Sequence, residues 1–64
     1  MKLEQAVRID HHLRNACAAL ESAERVIAGL GKSERLELEG RLDAVKGMLQ
    51  EELLRPIYDQ YPDL

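Results

Sequence analysis

A chain of 64 residues makes one small domain, here 1–64, and at this size folding hides only about 60% of the surface that the unfolded chain exposes. Cys17 is the only cysteine, which excludes an intrachain disulfide. Twelve acidic against nine basic residues, interspersed to a net charge of −3, exclude a surface that seeks polyanions. With no Phe or Trp and few strand formers, the abundance of Leu, Ala, Glu and Arg favours long aliphatic helices over sheets.

The first predicted element is a helix over about 3–28, free of Pro and Gly and about 39 Å long at 1.5 Å per residue. Ala6, Ile9, Leu13, Ala16, Leu20, Ala23, Ile27 and Leu30 fall alternately three and four residues apart, an unbroken heptad seam. Ala16 and Ala23 between larger residues let a partner backbone approach closely, so a tight antiparallel neighbour is expected there. Residues 29–33, Gly-Leu-Gly-Lys-Ser, then spell a stop and a start. Gly29 or Gly31 is expected in the left-handed conformation, with Ser33 as N-cap and Glu34 in the first turn.

A second helix is predicted over about 34–54, with Leu38, Leu42, Val45, Leu49 and Leu53 on one stripe. A loop this short makes the helices antiparallel, and facing residue numbers then sum to roughly 61 or 62. The predicted layers are Ala23 with Leu38, Leu20 with Leu42, Ala16 with Val45, Leu13 with Leu49, and Ile9 with Leu53, with no charge in the seam. Pro56 should end or kink this helix, because it lacks an N–H and crowds the preceding turn. Ile57, Tyr58 and Tyr61 sit at helical spacing, as one further short turn facing Leu3 and Val7, and 62–64 read as a frayed end.

Two features exceed what one hairpin needs. Gly40 and Gly47, one heptad apart, share a face away from the seam, although each costs a helix interior about 1 kcal/mol relative to Ala. Leu3, Val7, Cys17, Val26, Leu36, Met48 and Leu54 flank the seam and cannot all be covered by one partner helix. The expected architecture is therefore an all-α antiparallel hairpin dimerising into a four-helix bundle. Val7, Val26, Leu36, Gly40, Gly47, Met48, Leu54, Tyr58 and Tyr61 are the candidate interaction residues.

Chemistry is sparse. Gly31-Lys32-Ser33 matches the end of a phosphate loop, but the motif needs a glycine where Val26 stands and a strand where a helix is predicted. Asp10, His11 and His12 are the one cluster of metal-ligand types, without the i, i+4 spacing of helical metal pairs, so a site there would have to form across an interface. Cys17, mid-helix between alanines, has no neighbouring cation to activate it. Pairs such as Glu37 and Glu39 or Glu51 and Glu52 have no concave pocket around them, while Glu21 with Arg25 and Glu37 with Arg41 suit i, i+4 ion pairs.

No catalytic residue, cofactor or metal is therefore expected, and the chain is read as a non-enzymatic oligomerisation or adaptor module. Its partners are a second copy and an as yet unidentified protein; no nucleic acid or membrane is expected. No segment has the apolar length of a signal peptide or membrane span, and a lone thiol suits a reducing compartment, so a cytoplasmic location is expected. In its length, helical hairpin and small-residue seam the chain resembles Rop, the plasmid RNA-binding regulator. That resemblance implies the alternative, a nucleic-acid-binding regulator on a dimeric four-helix bundle, for which Arg8, Arg14, Arg25, Arg35 and Arg41 are the available cations.

Overall fold

A computed structural model describes residues 1–64. Helix α1 runs over Leu3–Ala28, α2 over Lys32–Leu49, a π-helical turn over Gln50–Leu54, and α3 over Arg55–Gln60. No strand forms. Helix α1 lies along α2 in a hairpin-like all-α fold of 45 × 16 × 15 Å. The radius of gyration, 14.4 Å, compares with about 10.7 Å for a compact chain of this length. The protein is a rod two helices wide.

The first helix keeps its predicted bounds. It opens with the Lys2 N–H donating to Gln5 Oε1 at 3.0 Å, which satisfies one of the free donors of the helix start. The connection that follows departs from expectation. No glycine takes a positive φ, and Gly29 stays right-handed at φ −85°, ψ −3°. Helix α1 ends by tightening instead, the Gly29 and Leu30 N–H groups donating to the Val26 and Ile27 carbonyls at 3.1 and 3.0 Å. Gly31, extended at φ −60°, ψ 155°, takes the N-cap position expected of Ser33, and its carbonyl accepts the Arg35 N–H at 2.9 Å. Ser33 is thereby moved into the first turn, beside Glu34.

The second helical stretch starts two residues early and does not stop at Pro56. The proline ring collides with the carbonyl four residues back, that of Glu52, and supplies no N–H to it. The chain meets this with the π-helical turn, in which the Arg55 N–H reaches back five residues to the Gln50 carbonyl. The helix then resumes through Pro56 to Gln60. A π turn inserts one residue into the helical count, so the stripe facing α1 slips by one position. Inward positions run Arg35, Glu39, Leu42, Lys46 and Leu49 in steps of four and three, then step five to Leu54 before Ile57 and Tyr61. Leu54, expected on an outer face, is 7% exposed as a result, and Leu53 is turned out.

Of the residues assigned to the five predicted layers, Leu13, Leu20, Leu42 and Leu49 are half-buried. Among the others, Ile9, Ala23, Leu38, Val45 and Leu53 are exposed and Ala16 is half-buried. Helix α1 instead turns Asp10 and Glu24 inward, one residue past Ile9 and Ala23. The seam is not free of charge either, since Glu24 and Lys46 meet between the helices at 3.0 Å. Only Ala6, Asp10, Leu54 and Ile57 are buried, and no large side chain is fully enclosed.

A Cβ at Gly31 meets nothing within 4 Å. Gly31→Ser should place a capping hydroxyl three residues before Glu34, completing a capping box while reducing the freedom of the unfolded chain, and raise stability by about 0.5–1 kcal/mol. Urea denaturation followed by circular dichroism measures it.

Candidate interaction surface

The side chain that most constrains the open end of the hairpin is Asp10, 8% exposed. Helix α1 presents it at the position next to α3, where a carboxylate out of water must find donors. The Tyr58 hydroxyl donates to Asp10 Oδ1 at 2.6 Å, and Arg14, one turn along α1, brings its Nε to 3.2 Å from Oδ2 and 3.4 Å from the Tyr58 oxygen. The Tyr58 hydrogen bond, then the Asp10 charge, push the Arg14 guanidinium above its ordinary value. Tyr61 donates to the Met1 carbonyl. Both tyrosines are half-buried and hold the end of α1 through polar atoms; Leu3 and Val7, which they were expected to face, are exposed. The short reach of the tyrosines depends on the π turn, which brings residues 54–61 round to the inner face.

Farther up the groove, the hydrogen bond from Lys46 to Glu24 holds the lysine above its ordinary value of 10.5. Each of these side chains leans toward the N-terminus of its own helix, which lets them meet although their backbones stand at different heights along the rod. Of the outer ion pairs anticipated from i, i+4 spacing, Glu37 with Arg41 forms at 3.2 Å, and Glu21 with Arg25 does not. Two further i, i+4 pairs form, Arg35 with Glu39 on the inward stripe at 3.9 Å and Arg55 with Glu51 on the outside at 2.8 Å.

The metal-ligand types do not converge. His11 and His12 are exposed with ring centroids 5.7 Å apart, Asn15 pairs with His11 at 3.3 Å, and Asp10 is engaged by Tyr58 and Arg14. Cys17 is a half-buried free thiol. One concavity, about 520 Å³, is an open groove along one helix lined by Met1, Gln5, Arg8, Ile9 and His12. Five of the nine Lys and Arg side chains, those of Arg14, Arg35, Arg41, Lys46 and Arg55, are paired with carboxylates; Lys2, Arg8, Arg25 and Lys32 stand outside these pairs, at the two ends of the rod.

What the hairpin does present is apolar surface. Among the candidate residues, Val7, Val26, Leu36 and Met48 are exposed, and Gly40 and Gly47 face open space, where a Cβ would meet nothing within 4 Å. Leu54, Tyr58 and Tyr61 are taken up by the hairpin. The exposed surface also includes Ile9, Leu38, Val45 and Leu53, which the heptad pattern assigned to the interior. For Leu53 the missed signal lay in Pro56, whose effect on the preceding turn displaces the stripe beyond Leu49; Ile9, Leu38 and Val45 are exposed because the two helices are rotated about their axes.

These residues share a flank. Ile9, Ala16 and Ala23 each precede an inward residue of α1 by one position, as Leu38, Val45 and Leu53 each precede an inward residue of α2 or its continuation. One position is a rotation of about 100° in the same sense on both helices. A two-fold axis normal to the plane of an antiparallel pair exchanges the helices and leaves each side of that plane in place. Equal offsets therefore emerge on the same side. Val26 and Met48 extend this flank, whereas Val7, Leu36, Gly40 and Gly47 belong to the other, among Arg14, Arg25, Lys32 and Asp43.

No helix is long and apolar enough to cross a membrane. Comparison with protein-family models, with curated proteins and with solved structures finds no match to this chain.

Tyr58→Phe leaves Asp10 buried without its closest donor and should cost about 1–2 kcal/mol in urea denaturation, with faster proteolysis of the chain beyond Leu54. A raised lysine pKa stabilises the fold fully below the ordinary value of 10.5, and the contribution is lost as pH rises through the higher folded value. Alkaline titration of stability should therefore fall more steeply in the native chain than in Lys46→Arg, which stays charged throughout.

Proposed function

We propose that the protein is a non-enzymatic assembly module that works by self-association, as one half of a homodimeric four-helix bundle able to hold a further protein. One observation carries this reading: four of 64 residues are buried, while Ile9, Val26, Leu38, Val45, Met48 and Leu53 are between 39% and 72% exposed. A monomeric rod with so little interior lacks the burial that offsets the entropy of ordering its backbone.

Surface areas put a scale on the deficit. The chain exposes 4930 Å², against about 4,200 Å² for a compact protein of its mass. Two copies joined into one compact body of twice the mass would expose about 6,900 Å² and so remove about 3,000 Å² from water, the range of obligate homodimers. The ion pairs along the rod and the polar clasp at its open end keep the remaining surface hydrated, and the net charge of −3 keeps such an assembly in solution.

Sedimentation equilibrium at low micromolar concentration should return twice the chain mass of 7.3 kDa. A well-folded species at 7.3 kDa would contradict the proposal.

A further inference from the structure

We infer that the flank carrying Ile9, Ala16, Ala23, Leu38, Val45 and Leu53 is an interface, and that its occupant is the same flank of a second copy of this chain. The inference rests on the self-association proposed above and adds which face is buried and which stays outside.

The patch runs the length of the rod. Counted from the turn at 1.5 Å per residue, Ala23 and Leu38 stand at about 8 Å, Ala16 and Val45 at about 19 Å, and Ile9 and Leu53 at about 30 Å. The interval is one heptad, so the three levels repeat as bundle layers do. In an isolated pair, each apolar stripe gains most by pointing straight at its partner. In a four-helix bundle each stripe points at the bundle axis, between two neighbours. The observed rotation, with Leu13, Leu20, Leu42 and Leu49 in the groove and the alternate heptad positions on one flank, is the second geometry.

Size and shape favour a copy of the chain as the occupant. A face of 45 × 16 Å has a flat footprint of about 700 Å², which with the relief of its side chains meets the roughly 800 Å² that each partner contributes to a stable interface. The roughly 3,000 Å² lost by two copies merged into one compact body is the ceiling. Leu38 and Val45 make a ridge on α2, and Ala23 and Ala16 leave a trough at the same heights on α1. A two-fold axis along the rod lays the ridge of one copy in the trough of the other, which makes the surface complementary to itself. The opposite flank offers less: Val7 and Leu36 lie near opposite ends of the rod with Gly40 and Gly47 between them. The flank of Val45, which by the same count also carries His12, Glu34 and Arg41, has apolar residues at all three levels.

Sedimentation of three full-length chains tests this. With the native chain dimeric, Val45→Lys should raise the dimer dissociation constant at least a hundredfold, and Leu36→Lys should leave it within about threefold. If Leu36→Lys dissociates the dimer and Val45→Lys does not, or if neither does, the face is wrongly assigned while self-association stands. A folded monomeric native chain overturns self-association itself. Should Val45→Lys fail to fold, crosslinking decides. In a Cys17→Ala background, a short bismaleimide should join two chains through Val45→Cys and not through Leu36→Cys; joining through Leu36→Cys alone, or through both equally, overturns the assignment.

Discussion

Two helices share one groove, and one groove cannot cover a heptad seam together with the apolar residues that flank it. Every notable feature of this chain follows from how that shortage is met. The groove takes Leu13 and Leu20 with Leu42 and Leu49, and it also takes the Glu24–Lys46 ion pair, whose aliphatic stems line the contact while their charges satisfy each other. What does not fit is turned to one side. A rod that held its whole seam inside would expose only the residues that flank the seam; this one also exposes half of the seam itself.

The open end is solved differently. Pro56 cannot continue an α-helix without disturbing the turn before it, and the π turn at Gln50–Leu54 absorbs the disturbance by adding a residue. That insertion turns Leu54 and Ile57 inward, where they and Ala6 are the buried apolar residues, and brings Tyr58 within reach of Asp10. The same proline that would have ended the helix thus sets the rotation at which its last turns dock on α1. Polar contacts do the fastening, because the carboxylate of Asp10 is satisfied only while Tyr58 and Arg14 stay in place.

Much of the architecture was legible in the residues. The bounds of α1 follow from the absence of Pro and Gly between Leu3 and Ala28, and the all-α class from composition and heptad spacing. The rotation of each helix about its axis was not legible, because spacing defines a stripe without saying whether one neighbour or two share it. Nor was the slip at Leu54, since a proline inside a helical pattern is compatible with a stop, a kink or a π turn, and packing selects among them. Gly29 and Gly31 misled for a related reason: glycine permits a left-handed turn without requiring one, and i to i−3 bonds close this helix in the right-handed region. Of the interaction surface, Val26 and Met48 were identified from their surplus, whereas Ile9, Val45 and Leu53 were hidden by their own good fit to the seam.

If half of the seam is reserved for a second copy, folding and association are one process, and stability must depend on how much protein is present. Thermal unfolding by circular dichroism over a hundredfold range of concentration tests this most directly. The midpoint should rise by about 5 °C for each tenfold increase in concentration, as expected for a unit of about 128 residues that melts with dissociation. A cooperative transition whose midpoint does not move with concentration would mean that the hairpin is sufficient to itself, and would contradict the account.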